Sequence, residues 1–233
     1  MIQIIESAGR FHADHGWLST YWHFSFDTYR DPANMNWGPL RVFNDDVVQP
    51  GQGFPVHAHR DMEIVTVVLE GALEHQDNQG NSGVLRPGDV QVMSAGTGIV
   101  HSEFNYSKNE PLHLLQIWLL PRTKGRPPRW EQRAFPIKDR LGRFLPVVSS
   151  GQLPSTLTTD QDAVIYLSSL RAGDRLTHHS GAGRKAYLFV IAGSLALNQL
   201  PLAAGDQARI AGEPELVLAA PTKSEIIFLD LPV

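Results

Sequence analysis

The sequence predicts an all-β chain built as two copies of one β unit, each a sandwich or a barrel. Three observations carry that reading. Helical periodicity is scarce, while short apolar runs rich in β-branched residues recur. Turns bearing Gly and Pro separate those runs, drawn from 20 Gly and 16 Pro in 233 residues. One stretch of sequence also occurs twice, 122 residues apart.

The elements follow in chain order. Pro50-Gly51 makes a turn, and the run 64–69 reads as a strand. Pro87-Gly88-Asp89 and Gly96-Thr97-Gly98 are further turns, and the run 112–120 is the next strong strand. Residues 122–133 are polar and Pro-rich and read as a linker. The expected boundary lies near them, with an N-terminal domain over 1–130 and a C-terminal domain over 131–233. In the second half the runs 163–170, 186–192 and 225–231 are strands, and Ala204-Gly205-Asp206 is a turn.

The repeat pairs residues 50–74 with 172–196 without a gap. Gly51 falls on Gly173, His57 on His179, Val68 on Val190, Gly71 on Gly193 and Leu73 on Leu195. Later, Gly88-Asp89 answers Gly205-Asp206. The second copy has Gly181 in place of His59 and Lys185 in place of Glu63, and no His follows His179. It keeps the framework and has lost the groups a metal needs.

Composition removes several classes of function. There is no Cys, so disulfides, thiolate zinc sites, iron–sulfur clusters and Cys nucleophiles are excluded. A net charge of −4 argues against direct nucleic-acid binding. No basic start followed by an apolar run marks a signal peptide, and no apolar stretch approaches the ~18 residues of a membrane span. The expectation is a cytoplasmic monomer with no membrane contact.

Ten His remain as metal-ligand types. His57 and His59 are two apart, so on a strand they face one way. Glu63 has the same parity. His101 and Glu103 form a second such pair. Two pairs on neighbouring strands would give three imidazoles and a carboxylate, a set suited to a divalent transition ion. The competing reading for each His is an ordinary hydrogen-bonded or solvated side chain. That reading is kept for His12, His15, His23, His75 and His113. Ser102 faces away from its neighbours and makes no triad, and Gly96-Thr97-Gly98 is a turn presenting His101. Arg122, Lys124, Arg126, Arg129 and Arg133 read as solvated charges. Trp17, Tyr21, Trp22, Phe24 and Phe26 are expected to pack on the first barrel.

The segment from Gly51 through His57, His59 and Glu63 to Gly71 resembles the first cupin motif. Residues 87–103, PGDVQVMSAGTGIVHSE, resemble the second in the form found in pirins, and residues 57–81 resemble the pirin signature block. The resemblance implies a jelly-roll bicupin with one metal in the N-terminal copy. Fe(II) is foremost, and Cu, Ni, Co, Mn or Zn are compatible. It places the ligands on His57, His59, His101 and Glu103, whereas a general cupin would use Glu63. It implies quercetin 2,3-dioxygenase activity on a flavonol and O2, with Glu103 accepting the 3-hydroxyl proton. The alternative it implies is an iron-dependent, redox-responsive regulator acting through a protein partner.

Overall fold

The computed structural model describes residues 1–233. Its strands are β1 (Ile2–Ile5), β2 (Phe11–Asp14), β3 (Leu18–Trp22), β4 (Leu40–Val48), β5 (Gly53–His59), β6 (Glu63–Glu70), β7 (Leu73–Asp77), β8 (Ser82–Leu85), β9 (Asp89–Ser94), β10 (Ile99–Asn105), β11 (Leu112–Leu119) and β12 (Arg129–Ala134). They continue as β13 (Leu145–Ser149), β14 (Leu157–Thr158), β15 (Val164–Leu170), β16 (Arg175–His179), β17 (Arg184–Ala192), β18 (Ser194–Leu197), β19 (Leu200–Ala203), β20 (Gln207–Ala211), β21 (Glu215–Ala219) and β22 (Ser224–Pro232). The α-helix is a single turn, Ile137–Arg140. No helix is long and apolar enough to cross a membrane.

The strands form two compact units. The N-terminal unit holds Phe11–Phe135 and Leu157–Gln161. One of its sheets runs β12-β9-β6-β11-β4-β3-β2, and the other runs β5-β10-β7-β8. The C-terminal unit holds Met1–Arg10, Pro136–Thr156 and Asp162–Val233. There the order β1-β20-β17-β22-β15-β13 answers the first sheet and β16-β21-β18-β19 the second. Each unit is thus a β-sandwich, the two-barrel fold expected. Residues 1–10 open the chain yet pack in the C-terminal unit, because β1 pairs with β20 in the register Ile2 to Ile210.

Apolar alternation builds each interior. Leu18, Val48, Val68, Leu73, Leu85, Leu112 and Leu114 form one core cluster of the N-terminal unit. Leu188, Val190, Leu195, Ile226 and Phe228 belong to the core of the other. Val68 and Val190 therefore do the same work. Gly71 and Gly193 sit at positive φ, +77 and +80, at equivalent hairpins. A Cβ there would strike the Pro111 carbonyl in one unit and the Lys223 carbonyl in the other. That contact is why the repeat keeps glycine at both places.

Three expectations are corrected. Residues 122–133 are not simply a linker, since β12 pairs with β9 from Arg129↔Ser94 to Ala134↔Asp89. Its polar composition hid it because it is an edge strand, exposed over its second half. Arg126 pairs with Asp160 at 3.0 Å, so it is not merely a solvated charge. The gapless repeat also slips by one residue at the histidines. On β16 the ring of His178 turns inward and His179 is exposed, so His178 takes the inward place of the first copy's histidines. His178 packs 4.7 Å from Phe228, with Phe144 and Tyr166 around it. Aromatic side chains surround the position where the first copy carries its histidine cluster.

Candidate metal centre

The second sheet of the N-terminal unit carries the cluster. β5 and β10 are antiparallel, with His101 opposite His57. On β10 the residues Ile99, His101, Glu103 and Asn105 are buried and alternate with half-buried neighbours. His101 and Glu103 therefore share the inner face and Ser102 does not. On β5, His57 and His59 face inward between exposed Val56 and Ala58. The turn Gly96-Thr97-Gly98 leads into β10, and a Cβ on Gly96 would collide with the Arg126 carbonyl.

Three imidazoles converge. The ring centroids of His57 and His59 are 4.7 Å apart, those of His57 and His101 4.4 Å, and those of His59 and His101 5.0 Å. One ligand atom from each lies within 4.8 Å of the others. His57 Nδ1 is tied to the Pro55 carbonyl at 2.7 Å, which leaves Nε2 free to point at His101 Nε2, 3.0 Å away. Two nitrogens each ~2.1 Å from one ion would stand about this far apart at a right angle. Burial, with the charge of His57 beside it, pushes His59 down to about 4. Burial pushes His101 down to about 4 as well, against the pull of Glu103. Both rings are neutral near pH 7, the form that binds metal. The donor set fits a divalent transition ion.

Glu103 stands one step away. It groups with His101 and His75 rather than with all three other histidines. Gln91 Nε2 donates to its Oε1 at 3.1 Å, and Gln116 Nε2 donates to its Oε2 at 2.8 Å. Thr66 donates to Gln116 Oε1 at 2.9 Å, and Trp130 donates to Gln91 Oε1 at 2.7 Å, so both amides are fixed. Burial alone would raise the Glu103 carboxyl. The His75 and His101 rings and Gln91 outweigh it and hold the group below its usual range.

His75, expected to be an ordinary structural or solvated histidine, is fully buried in this site. Its Nδ1 lies 3.5 Å from His101 Nδ1 and 3.9 Å from Glu103 Oε1. Its Nε2 is 3.5 Å from Asp77 Oδ2, and the ring stacks on Trp130 at 5.3 Å. The signal was present, because His75 and Asp77 are also two apart on one strand, directly across from Glu103 and His101.

Glu63 is used elsewhere. Its Oε2 accepts from Ser94 Oγ at 2.7 Å, Thr159 Oγ1 at 3.0 Å and the Asp160 amide at 3.1 Å. It anchors Leu157–Gln161 onto its own unit. Hydrogen bonds to a charged group are worth ~1.5–3 kcal/mol. Glu63→Gln is expected to lower the midpoint of thermal unfolding while leaving bound metal unchanged, as melting curves and metal analysis of one sample would record.

The two depressed histidines also predict a pH dependence. Unfolded, they protonate near 6.5, and folded, near 4. Between those values the unfolded chain binds more protons, so stability falls as pH drops from 6.5 toward 4. In metal-free protein the melting temperature should fall across that window. The slope should be shallower in His59→Asn, measured by scanning calorimetry.

The cluster opens into a cavity of about 560 Å³ lined by His57, His59, Glu103, Gln116, Asn44 and Asp46. Trp17, Trp22, Phe26, Phe54 and Trp118 wall it, so Trp17, Trp22 and Phe26, three of the five N-terminal aromatics expected to pack on the barrel, also shape its cavity. Trp118 stands edge-on to His59 at 4.9 Å and to Phe26 at 5.4 Å. Its size lies within the range of small-molecule sites.

Two β-sandwich barrels in one chain, the first with inward histidines on paired strands, define a bicupin. The Pirin family model matches residues 4–119, and that of the quercetinase C-terminal cupin domain matches residues 146–231. The chain is 42% identical over 232 residues to a quercetin 2,3-dioxygenase of Escherichia coli, covering 100% of this chain and 99% of that one. It is 44% identical over 219 residues to a pirin-like protein of Caulobacter vibrioides, covering 94% of each. The crystal structure of the bacterial pirin YhhW from Escherichia coli in complex with nickel(II) superposes with a TM-score of 0.95 at 41% identity, covering 100% of this chain and 99% of that one. The chain belongs to the pirin family.

Proposed function

We propose that this protein is a metal-dependent dioxygenase that opens the central ring of flavonols such as quercetin. One observation carries the reading: three inward imidazoles and a buried carboxylate meet a cavity walled by aromatic rings. The similarity to the Escherichia coli quercetin 2,3-dioxygenase supports it. His57, His59, His101 and Glu103 are the proposed ligands, and Fe(II) is the proposed ion, with other first-row divalent ions suited to the same donors. Bound there, the ion would supply a Lewis acid and a place for O2 and substrate to meet.

The chain's own residues do the rest. Trp22, Phe26 and Trp118 give a planar substrate an apolar wall and exclude water from it. Glu103 is ionised near neutrality and is the proposed acceptor for the flavonol 3-hydroxyl proton. Its depressed pKa makes it a weak base, so it serves a hydroxyl that is already acidified. Gln91 and Gln116 keep its two oxygens in place while that proton is taken. The direct test is aerobic consumption of quercetin by metal-reconstituted protein, with carbon monoxide as co-product. Metal binding without turnover would favour a regulator instead.

A further inference from the structure

The inner face of the large sheet in the N-terminal unit is apolar at Leu18, Val48, Val68, Leu112 and Leu114 and polar between them and the histidines. Gln116, Thr66 and Gln91 on that face are engaged with one another and with Glu103. Asn44, the register partner of Gln116, and Asp46, two residues on, are different. Both are buried and both line the cavity. The Oδ1 of Asn44 makes no hydrogen bond, and the Asp46 carboxyl has the Thr20 hydroxyl beside it as a partner. A buried acceptor left without a donor costs ~1–3 kcal/mol. The torsion that aims such an oxygen is soft, so a small rotation turns it toward a ligand.

We propose that Asn44 and Asp46 form a hydroxyl-recognising subsite that takes the hydroxylated ring edge of a planar polyphenol and sets its orientation in the cavity. This deepens the flavonol reading and rests on it. The two residues sit on β4, in the sheet facing the one that carries His57, His59 and His101. A ring bound here can therefore reach across the cavity toward the histidines. Burial pushes the Asp46 carboxyl up to about 7, against the Thr20 hydroxyl beside it. Near neutrality the group can thus both donate to and accept from a phenol. Trp22, Phe26 and Trp118 line the cavity beside these two polar groups, a pairing that discriminates hydroxylated rings from bare ones.

The test compares quercetin with 3-hydroxyflavone, which lacks the other ring hydroxyls. Binding is followed by quenching of tryptophan fluorescence in the full-length protein, for wild type, Asn44→Leu, Asp46→Leu and Asp46→Asn. One hydrogen bond is worth about tenfold in affinity. Wild type should prefer quercetin by at least about tenfold. Each Leu variant should lose about tenfold for quercetin, keep its affinity for 3-hydroxyflavone and melt at a higher temperature. Asp46→Asn should keep most of the preference. A residue that merely supported the fold would lower the melting temperature and weaken both ligands together. Asn44→Ala serves if Leu overfills the site. Unchanged preference in the variants, or no preference in wild type, overturns the subsite. Turnover of quercetin by the metal-loaded wild type is scored separately. Turnover with undiminished preference in the variants leaves the dioxygenase and removes the subsite. Preference without turnover does the reverse.

Discussion

His101→Ala should release the metal and abolish flavonol turnover. His101 belongs to both groupings, one with half-buried His57 and His59 and one with buried His75 and Glu103. Its Nε2 faces His57 and its Nδ1 faces His75, so its ring joins the two groupings. Changes around ligands alone weaken metal binding ~10–100-fold, and loss of a ligand should exceed that. The control is His113→Ala, since His113 pairs with Asp45 at 2.6 Å away from the cluster. Metal content after dialysis and quercetin consumption should fall together in the first variant and stay near wild type in the second. A His101→Ala protein that keeps its metal and turns over would remove His101 from the site.

Glu103→Gln should keep a donor oxygen for the metal and lose most of the rate. A general base contributes ~10²–10⁴-fold. The surroundings add a second effect. Gln91 and Gln116 both donate to Glu103, one to each oxygen. An amide at 103 turns one of those contacts into donor against donor, and Thr66 and Trp130 hold the neighbouring amides against turning over. Glu103→Gln should therefore also lower the melting temperature, and Glu103→Gln combined with Gln116→Glu should recover part of that loss without recovering rate. Full activity in Glu103→Gln would dismiss Glu103 as the base. Rate recovered along with stability would show that its role is structural.

Much of this was legible in the sequence because strands alternate. His57 with His59, and His101 with Glu103, share a face by parity alone, and the turns at Gly71 and Gly193 marked the repeat through a conformation that only glycine adopts freely. Parity cannot say which strands become neighbours. His75 was overlooked for that reason, since its pairing with His101 and Glu103 appears only when β7 lies beside β10. Glu63 had the right parity as a possible ligand, yet a sequence cannot show that residues 157–161 return to claim its carboxylate. β12 was hidden by its polar edge, and the one-residue slip at His178 by a gapless comparison. Asn44 and Asp46 carried no motif, and their interest lies in their burial on the cavity wall.

The most direct measurement is a metal titration of turnover. Metal-free protein is reconstituted with Fe(II) in steps, and quercetin consumption, O2 uptake and bound metal are recorded at each. One ion per chain should suffice, because the second unit has His178 enclosed by Phe144, Tyr166 and Phe228 and offers no second cluster. The rate should climb linearly and level off at one equivalent, with one O2 taken up per quercetin. Binding of one equivalent with no quercetin or O2 consumed, with Fe(II) or any other first-row ion tried in its place, would contradict the dioxygenase.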